Sequence, residues 1–180
     1  MKLFELTRPQ RHYEIDTLLS NAGYQGLGRG FHGSVYQKPG AKYVLKVFAT
    51  YDNCYYEFLK VARAHQDNPH MPRPIGKLVW INDAFVAVRL EPLKPGHLPF
   101  PLYDFITSYY AALDARRPDR AKFVIEYGAK WTHQYPKMVE ALDLIYSTRQ
   151  APRARGCMDD FKDANIMFRG ETPVFTDPLA

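Results

Sequence analysis

The chain has 180 residues, of which 46% are apolar, 14% aromatic and 24% charged, and its formal net charge is +5 at pH 7. This composition is typical of a globular protein and excludes a disordered chain, and the length restricts the fold to one or two small lobes. The positive charge suits a polyanionic ligand such as a nucleotide, or an acidic partner, but a solvated basic surface without a specific partner explains it equally well.

The cysteine content and the N-terminus bear on the compartment. Cys54 and Cys157 are too few for a disulfide scaffold, so we expect reduced thiols, although a pair is not excluded. Residues 1–6 lack the apolar core of a secretory signal, and no stretch approaches the roughly 20 apolar residues that span a bilayer. The sequence therefore predicts a soluble protein, either cytoplasmic or secreted into a host cell without a cleaved signal peptide.

The first half of the chain predicts a helix, a strand-rich region and a second helix. Residues 9–22 have helical spacing of apolar side chains, and residues 24–48 suit three strands separated by two glycine turns. A second helix is predicted over residues 52–66, and two further strands over residues 76–81 and 84–90.

The second half predicts helices and a terminal hairpin. Prolines within residues 91–101 stop regular structure and mark this segment as a linker. Helices are predicted over about residues 102–116, 120–134 and 137–148, with Pro136 separating the last two, and short strands over 166–168 and 173–176. The predicted fold class is α+β, with a first lobe over residues 1–91 made of an N-terminal helix, a small antiparallel sheet and a second helix, and a reduced helical lobe over residues 92–180.

The most informative motif is the run Gly28-Arg29-Gly30-Phe31-His32-Gly33-Ser34-Val35. Such a pattern alone is weak evidence, because glycines also serve tight turns. Strand-like residues follow the last glycine, however, which disfavours a dinucleotide-binding turn and favours a hairpin whose backbone N–H groups approach phosphates. Phe31 at the tip would cap a bound triphosphate, or it packs on the glycines of its own loop.

Lys46 lies within the apolar stretch Tyr43–Phe48. A lysine there either faces solvent or is held inward to bind the α- and β-phosphates of a nucleotide, as in protein kinases. Glu57, the only acid between residues 53 and 66, is our predicted carboxylate partner for Lys46. Its alternative is an ordinary solvated position on the helix.

The segment Asp160-Phe161-Lys162-Asp163-Ala164-Asn165 is predicted to carry the phosphoryl-transfer chemistry. Asp160 would orient and deprotonate the attacking hydroxyl, and Lys162 would neutralise charge on the transferring group. Asn165 and the later Asp177 supply the hard oxygen ligands that Mg²⁺ prefers. Asp159, adjacent to Asp160, is an alternative base or a simple turn former.

The start of the linker is predicted to be the hinge of a two-lobed nucleotide site. There the backbone groups of Glu91 and Leu93 would meet the adenine edge. Val35, Leu90 and Met167 are candidate walls of an apolar adenine slot, and each is explained equally well as a core residue.

From about residue 23 to residue 180, the chain resembles proteins with a protein-kinase-like fold. Its pattern is similar to that of the early serine/threonine protein kinases of lytic podoviruses, in the glycine motif, Val44-Leu45-Lys46-Val47, Asn165-Ile166-Met167-Phe168 and Thr176-Asp177-Pro178. A second resemblance is to minimal kinases that some bacteria secrete into host cells, where they phosphorylate a host chaperone of the heat-shock ninety-kilodalton class. Both resemblances imply an ATP-dependent kinase that acts on proteins of another organism.

The chain departs from the usual kinase pattern at two motifs. The expected His-Arg-Asp reads Met158-Asp159-Asp160, and the expected Asp-Phe-Gly reads Asp177-Pro178-Leu179. No arginine precedes the base to receive a phosphorylated activation loop, and the chain stops at Ala180. We therefore expect a constitutively assembled enzyme that recognises its substrate through residues 102–148 or through the partner itself.

The sequence thus predicts a minimal serine/threonine protein kinase that uses ATP and Mg²⁺ and phosphorylates a host protein, with a chaperone as one candidate. We expect a monomer that binds neither nucleic acid nor membrane. Two alternatives remain open. One is a nucleotide-binding pseudokinase without turnover, and the other is a small-molecule phosphotransferase, for whose acceptor pocket the chain has little room.

Overall fold

A computed structural model describes residues 12–114 and 135–180, and these form an α+β fold with four α-helices and two antiparallel sheets. The helices are α1 (His12–Asn21), α2 (Asn53–Ala64), α3 (Phe100–Asp114) and α4 (Tyr135–Arg149). The strands are β1 (Gln25–Arg29), β2 (Gly33–Gln37), β3 (Val44–Ala49), β4 (Pro74–Trp80), β5 (Phe85–Leu90), β6 (Ile166–Arg169) and β7 (Thr172–Phe175). Within the described ranges, no helix is long and apolar enough to cross a membrane.

Most predicted elements occur within a few residues of their expected limits. The predicted helix over residues 120–134 lies outside the described residues, as do the first residues of the helix predicted from residue 9. Pro136 was predicted to separate the helix over residues 120–134 from the one predicted over residues 137–148, and only the second of these lies in the described residues. Pro136 is the second residue of α4, where the missing N–H has no intrahelical partner to lose.

The chain divides into two compact units, Met1–Asn53 with Arg73–Pro92, and Cys54–Pro72 with Leu93–Ala180. The division after Pro92 lies close to the predicted lobe boundary after residue 91. The segment 54–72, which includes most of α2, was predicted to belong to the first lobe but clusters with the second unit.

Contacts with the C-terminal part of the chain explain why segment 54–72 belongs to the second unit. His70 Nδ1 hydrogen-bonds the carbonyl oxygen of Pro173 at 2.8 Å, and the His70 carbonyl accepts from the Phe175 N–H at 2.9 Å. Arg169 donates from its two terminal nitrogens to the Pro69 and Met71 carbonyls at 2.6 and 3.1 Å. The apolar positions of α2 that sequence spacing identifies are buried: Tyr55, Phe58, Leu59 and Ala62.

The first unit is built on a five-stranded antiparallel sheet in the order β1-β2-β3-β5-β4. Helix α1 supplies Ile15 and Leu19 to a core that the sheet completes with buried side chains from β2, β3 and β5: Tyr36, Leu45, Val47, Phe85 and Ala87. Strand β1 lies at one edge of the sheet and contributes nothing to this core, because all five of its residues are exposed.

The second unit packs aromatic side chains around the β6–β7 hairpin. The Phe161 ring lies 4.8 Å from the Tyr110 ring of α3 and 5.7 Å from the Phe175 ring of β7, measured between centroids. Tyr110 also contacts Tyr146 of α4, with 5.8 Å between their centroids. These edge-to-face contacts fix the segment that carries Phe161 in the interior.

Candidate functional site

The predicted glycine hairpin is formed by β1 and β2. The Gly30 N–H donates to the Gly33 carbonyl at 2.8 Å and closes the turn, and Phe31 at the tip is 91% exposed. A Cβ on Gly33 would lie 2.7 Å from the Val47 carbonyl oxygen, so the close approach of β3 requires glycine there. A Cβ on Gly28 would meet no described atom within 4 Å, so packing does not explain that glycine.

Three predicted nucleotide-binding residues lie in one row of the sheet. Gly28 is paired with Val35, and Val35 with Lys46, across β1, β2 and β3. Because directly paired residues of antiparallel strands share a face, these positions belong to the same face of the sheet. Lys46 is only 9% exposed, so the lysine is held inward rather than facing solvent.

Glu57, the predicted partner of Lys46, is buried on α2 in the second unit. Its Oε2 accepts from the Lys60 ammonium group at 2.8 Å, one helical turn away. Its Oε1 is buried and has no hydrogen-bond partner among the described residues. Lys46 belongs to the first unit, and its pairing with Glu57 stays a prediction.

Asp160, Lys162 and Asn165 form one hydrogen-bonded segment in the second unit. Lys162 Nζ lies 2.6 Å from Asp160 Oδ2, and Asn165 Nδ2 donates to the Asp160 carbonyl at 2.9 Å. The Asn165 N–H donates to the Lys162 carbonyl at 2.8 Å, which closes a short 3₁₀ turn over Asp163–Asn165. The segment therefore brings the predicted base, the charge-neutralising lysine and one metal ligand together.

Asp177 is joined to this segment through the backbone of Asn165. The Asn165 carbonyl oxygen accepts from the Thr176 N–H at 2.8 Å, the Thr176 hydroxyl at 2.8 Å and the Asp177 N–H at 3.4 Å. Residues 158–160 then pair with residues 178–180: Met158 and Ala180 exchange N–H···O bonds of 2.7 and 2.9 Å, and the Asp160 N–H donates to Pro178 at 2.8 Å. Backbone bonds thus hold Asp160, Asn165 and Asp177 in fixed relation.

The two adjacent aspartates have different environments. Asp159 is exposed, and its Oδ1 lies 3.7 Å from a terminal nitrogen of Arg149, whereas Asp160 pairs with Lys162. Of the two carboxylates, that of Asp160 is placed beside Lys162, and the backbone carbonyl of the same residue accepts from the Asn165 amide. This arrangement favours Asp160 over Asp159 as the candidate base.

The predicted metal ligands, Asn165 and Asp177, fit Mg²⁺ in the chemistry of their donor atoms. Because the Asn165 Nδ2 is engaged by the Asp160 carbonyl, the amide oxygen is the atom of that side chain that would serve a metal. Two protein oxygens with phosphate and water ligands are sufficient for Mg²⁺. No group of three or more His, Cys, Asp and Glu side chains suited to a metal occurs in the part of the chain that the structure describes.

The predicted hinge residues flank the boundary between the units. The Glu91 N–H donates to the Arg73 carbonyl at 3.3 Å, and Glu91 Oε1 accepts from the Arg73 N–H at 3.1 Å. Leu93 is the first residue of the second segment of the second unit. Among the candidate slot walls, Val35 and Leu90 belong to the first unit and Met167 to the second, so the adenine slot stays a prediction.

The prediction of reduced cysteines is wrong. Cys54 and Cys157 form a disulfide in the second unit, with their Cα atoms 5.8 Å apart. Cys54 is the second residue of α2, and Cys157 precedes Asp160 by three positions. Counting cysteines could not reveal the pair, because the proximity of these two segments arises from tertiary packing across a sequence separation of 103 residues.

The sequence also gave no indication of two other features around the glycine hairpin. Asp16 of α1 accepts hydrogen bonds from Arg29 and from the Tyr36 hydroxyl. Burial, together with the bond to Asp16, raises the pKa of Tyr36 to about 12. His32 stacks edge-on with Phe31 and with Tyr51, at centroid distances of 4.7 and 5.7 Å.

No model of a known protein family matches the chain, and no curated protein matches it significantly.

Proposed function

We propose that this protein is a serine/threonine protein kinase of minimal, kinase-like architecture that transfers the γ-phosphoryl group of ATP to a hydroxyl of a host protein. One observation carries the proposal. Asp160, Asn165 and Asp177, the residue types that the kinase catalytic loop and metal-binding aspartate require, are interlocked through the Asn165 amide and carbonyl groups.

Each residue of this group has a defined part in the proposed transfer. Asp160 orients the acceptor hydroxyl and takes its proton while a new O–P bond forms. The bond between the γ-phosphorus and the bridging oxygen breaks, and ADP leaves. Lys162, 2.6 Å from Asp160, neutralises negative charge on the phosphoryl group during transfer. Asn165 and Asp177 would hold Mg²⁺, which supplies charge neutralisation at the phosphates.

The first unit supports the nucleotide-binding part of the proposal. Lys46 lies in β3, the strand that carries the phosphate-binding lysine of protein kinases, and shares a sheet row with Val35 and Gly28. The space around Gly28 leaves the hairpin backbone open to a ligand. Gly30, Gly33 and Phe31 complete the loop, and Glu91 and Leu93 would contact the adenine edge.

Activity is proposed to be constitutive. Asp159 occupies the position where a phosphate-binding arginine would precede the base, and it is an acid that faces Arg149. The hydrogen bonds described above join Asp160 and Asp177 to Asn165 and Pro178 without a phosphorylated group. We further propose that the protein works inside a foreign cell, either as a phage product or as a bacterial effector. It would act there as a monomer on a protein substrate such as a chaperone.

The test is labelled phosphoryl transfer from γ-labelled ATP with Mg²⁺, to the protein itself and to host lysate proteins. We expect labelled protein bands, and we expect Asp160→Asn and Asp177→Ala to reduce the label at least about 100-fold. Asp163→Asn is the matched control. It lies in the same segment and contacts the exposed His97 at 2.9 Å, so it should retain label near the wild-type level.

The alternatives give different outcomes in the same experiment. Absence of label with nucleotide binding retained in calorimetry would establish a pseudokinase. Transfer to small hydroxyl compounds but to no protein would establish a small-molecule phosphotransferase. Equal label in the wild type and in Asp177→Ala would refute the assigned site.

A further inference from the structure

A single carboxylate of α1 contacts both strands of the glycine hairpin. Asp16 accepts from the guanidinium of Arg29, the last residue of β1, and from the hydroxyl of Tyr36 in β2. Arg29 Nε also donates to the hydroxyl of Ser34 at 3.2 Å. Asp16 thus connects the helix to the hairpin on both sides of the turn at Gly30–Gly33.

Among the described residues, strand β1 has few other contacts that would fix its position. In that part of the chain it is an edge strand that pairs with β2, and its register is interrupted between Gly26 and Gly28. A Cβ on either of these glycines would meet no described atom within 4 Å, and every residue of β1 is exposed. Glycines in an exposed edge strand have high backbone freedom, so side-chain packing does little to restrain β1, whereas the other strand of the hairpin is held at Gly33 by β3.

The contact at Asp16 is suited to local positioning rather than to global stability. The side chains of Arg29 and Asp16 are 56% and 34% exposed, and ion pairs at such positions contribute little to the free energy of unfolding. Tyr36, in contrast, is buried in the core that α1 and the sheet share. Asp16 therefore joins a fixed point, Tyr36, to a weakly restrained one, Arg29.

We propose that Asp16 is a positioning residue for nucleotide binding: by holding Arg29 against Tyr36, it fixes the backbone of Gly28–Gly33 in the conformation that receives the ATP phosphates. This inference rests on the proposed function. Asp16 itself touches neither substrate nor reacting atoms. Its loss leaves the chemistry of Asp160 and Asp177 unchanged and loosens the hairpin, so the affinity for ATP falls while the rate of transfer from bound ATP is retained.

The test compares Asp16→Asn with Glu14→Gln. Glu14 is an acid of the same helix whose described hydrogen bond is with Tyr13 at 3.4 Å, so its substitution controls for the charge of α1. Amide hydrogen exchange of residues 28–33 without nucleotide is measured first. We expect exchange about tenfold faster in Asp16→Asn, as for the loss of one charged hydrogen bond, and unchanged in Glu14→Gln.

The kinetic readout uses the same two variants. For Asp16→Asn we expect the KM for ATP to rise about five- to tenfold with kcat within about twofold of wild type. The double variant Asp16→Asn with Arg29→Gln should raise the KM for ATP little beyond Asp16→Asn alone, because both substitutions remove the contact between Asp16 and Arg29 and the second adds only the loss of the bond from Arg29 to Ser34. Thermal unfolding midpoints of all variants verify that the fold is intact.

Three results would overturn the inference: unchanged exchange in Asp16→Asn, a fall in kcat at unchanged KM, or a lower KM, which would mean that Asp16 withholds Arg29 from the nucleotide. A wild-type protein that binds ATP without phosphoryl transfer would refute the proposed function alone, and the ATP affinity of Asp16→Asn in calorimetry would then decide the positioning role. A wild-type protein that neither transfers phosphate nor binds ATP would refute the proposed function and the positioning role together. In that case, faster amide hydrogen exchange of residues 28–33 in Asp16→Asn would establish only that Asp16 restrains the hairpin. An active kinase in which Asp16→Asn leaves this exchange unchanged would refute the positioning role alone.

Discussion

Removal of the disulfide should destabilise the second unit by several kcal/mol. The substitution is the double variant Cys54→Ser with Cys157→Ser, which avoids leaving one reactive thiol. The two cysteines are separated by 103 residues in sequence. In the chain-entropy treatment, a cross-link that closes a loop of this length restricts the unfolded chain by about 4.7 kcal/mol at 25 °C.

The measured loss should be about 2–5 kcal/mol, because relaxation and residual structure in the unfolded state reduce the full entropic value. With a urea dependence of about 2 kcal/mol/M, the unfolding midpoint followed by circular dichroism should fall by roughly 1–2.5 M. A dithiol reductant should shift the wild type in the same direction and leave the double variant unchanged, which provides the matched control.

Two results would refute the reasoning. Thiol titration of the unfolded, unreduced protein should find no free thiol, and two thiols per chain would mean that the bond is absent. A change in unfolding free energy below about 1 kcal/mol, with the bond present in the wild type, would mean that the unfolded segment between the cysteines is already restricted.

Three further predictions concern stability and pH. Burial raises the pKa of Tyr36 to about 12, against about 10 in the unfolded chain, so its contribution to stability is complete below pH 10 and is lost as the pH rises to 12. In urea titrations between pH 9.5 and 11.5, the unfolding free energy should therefore fall less steeply with pH in Tyr36→Phe than in the wild type. An equal fall in both proteins would contradict the assignment. Gly33→Ala should lower the unfolding free energy by about 1–3 kcal/mol, because the added methyl group would lie 2.7 Å from the Val47 carbonyl oxygen. Gly28→Ala should change the unfolding free energy little, and equal effects of the two substitutions in denaturant titrations would contradict this difference. Phe161→Ala should lower the unfolding free energy by about 3–5 kcal/mol by leaving a cavity in the aromatic core, and a loss below about 1 kcal/mol would mean that the site collapses around the smaller side chain.

Patterns that depend on local spacing could be predicted from the sequence. The apolar period of α2 gave its position as residues 52–66, against Asn53–Ala64 in the structure. The strand that carries Lys46 and the glycine hairpin follow from alternating apolar residues and turn glycines. The inward position of Lys46 could not be derived, because the strand pattern does not show whether the face that carries a lysine is exposed or covered.

Contacts between distant segments could not be predicted. The disulfide and the membership of residues 54–72 in the second unit depend on packing against residues far along the chain. Asp16 lies on the polar side of α1, and nothing in its local sequence indicates that Arg29 and Tyr36 meet it. The bonds from the Asn165 carbonyl to Thr176 and Asp177 are likewise features of backbone geometry rather than of residue type.

The pairing of residues 158–160 with residues 178–180 closes the segment between them into a single local loop. Asp160, Lys162, Asn165 and Asp177 all belong to that loop, so the contacts that assemble them have low sequence separation. Contacts of this kind close quickly during folding, whereas the Cys54–Cys157 bond joins segments 103 residues apart. We therefore expect residues 158–180 to assemble early in folding, before oxidation joins Cys54 to Cys157.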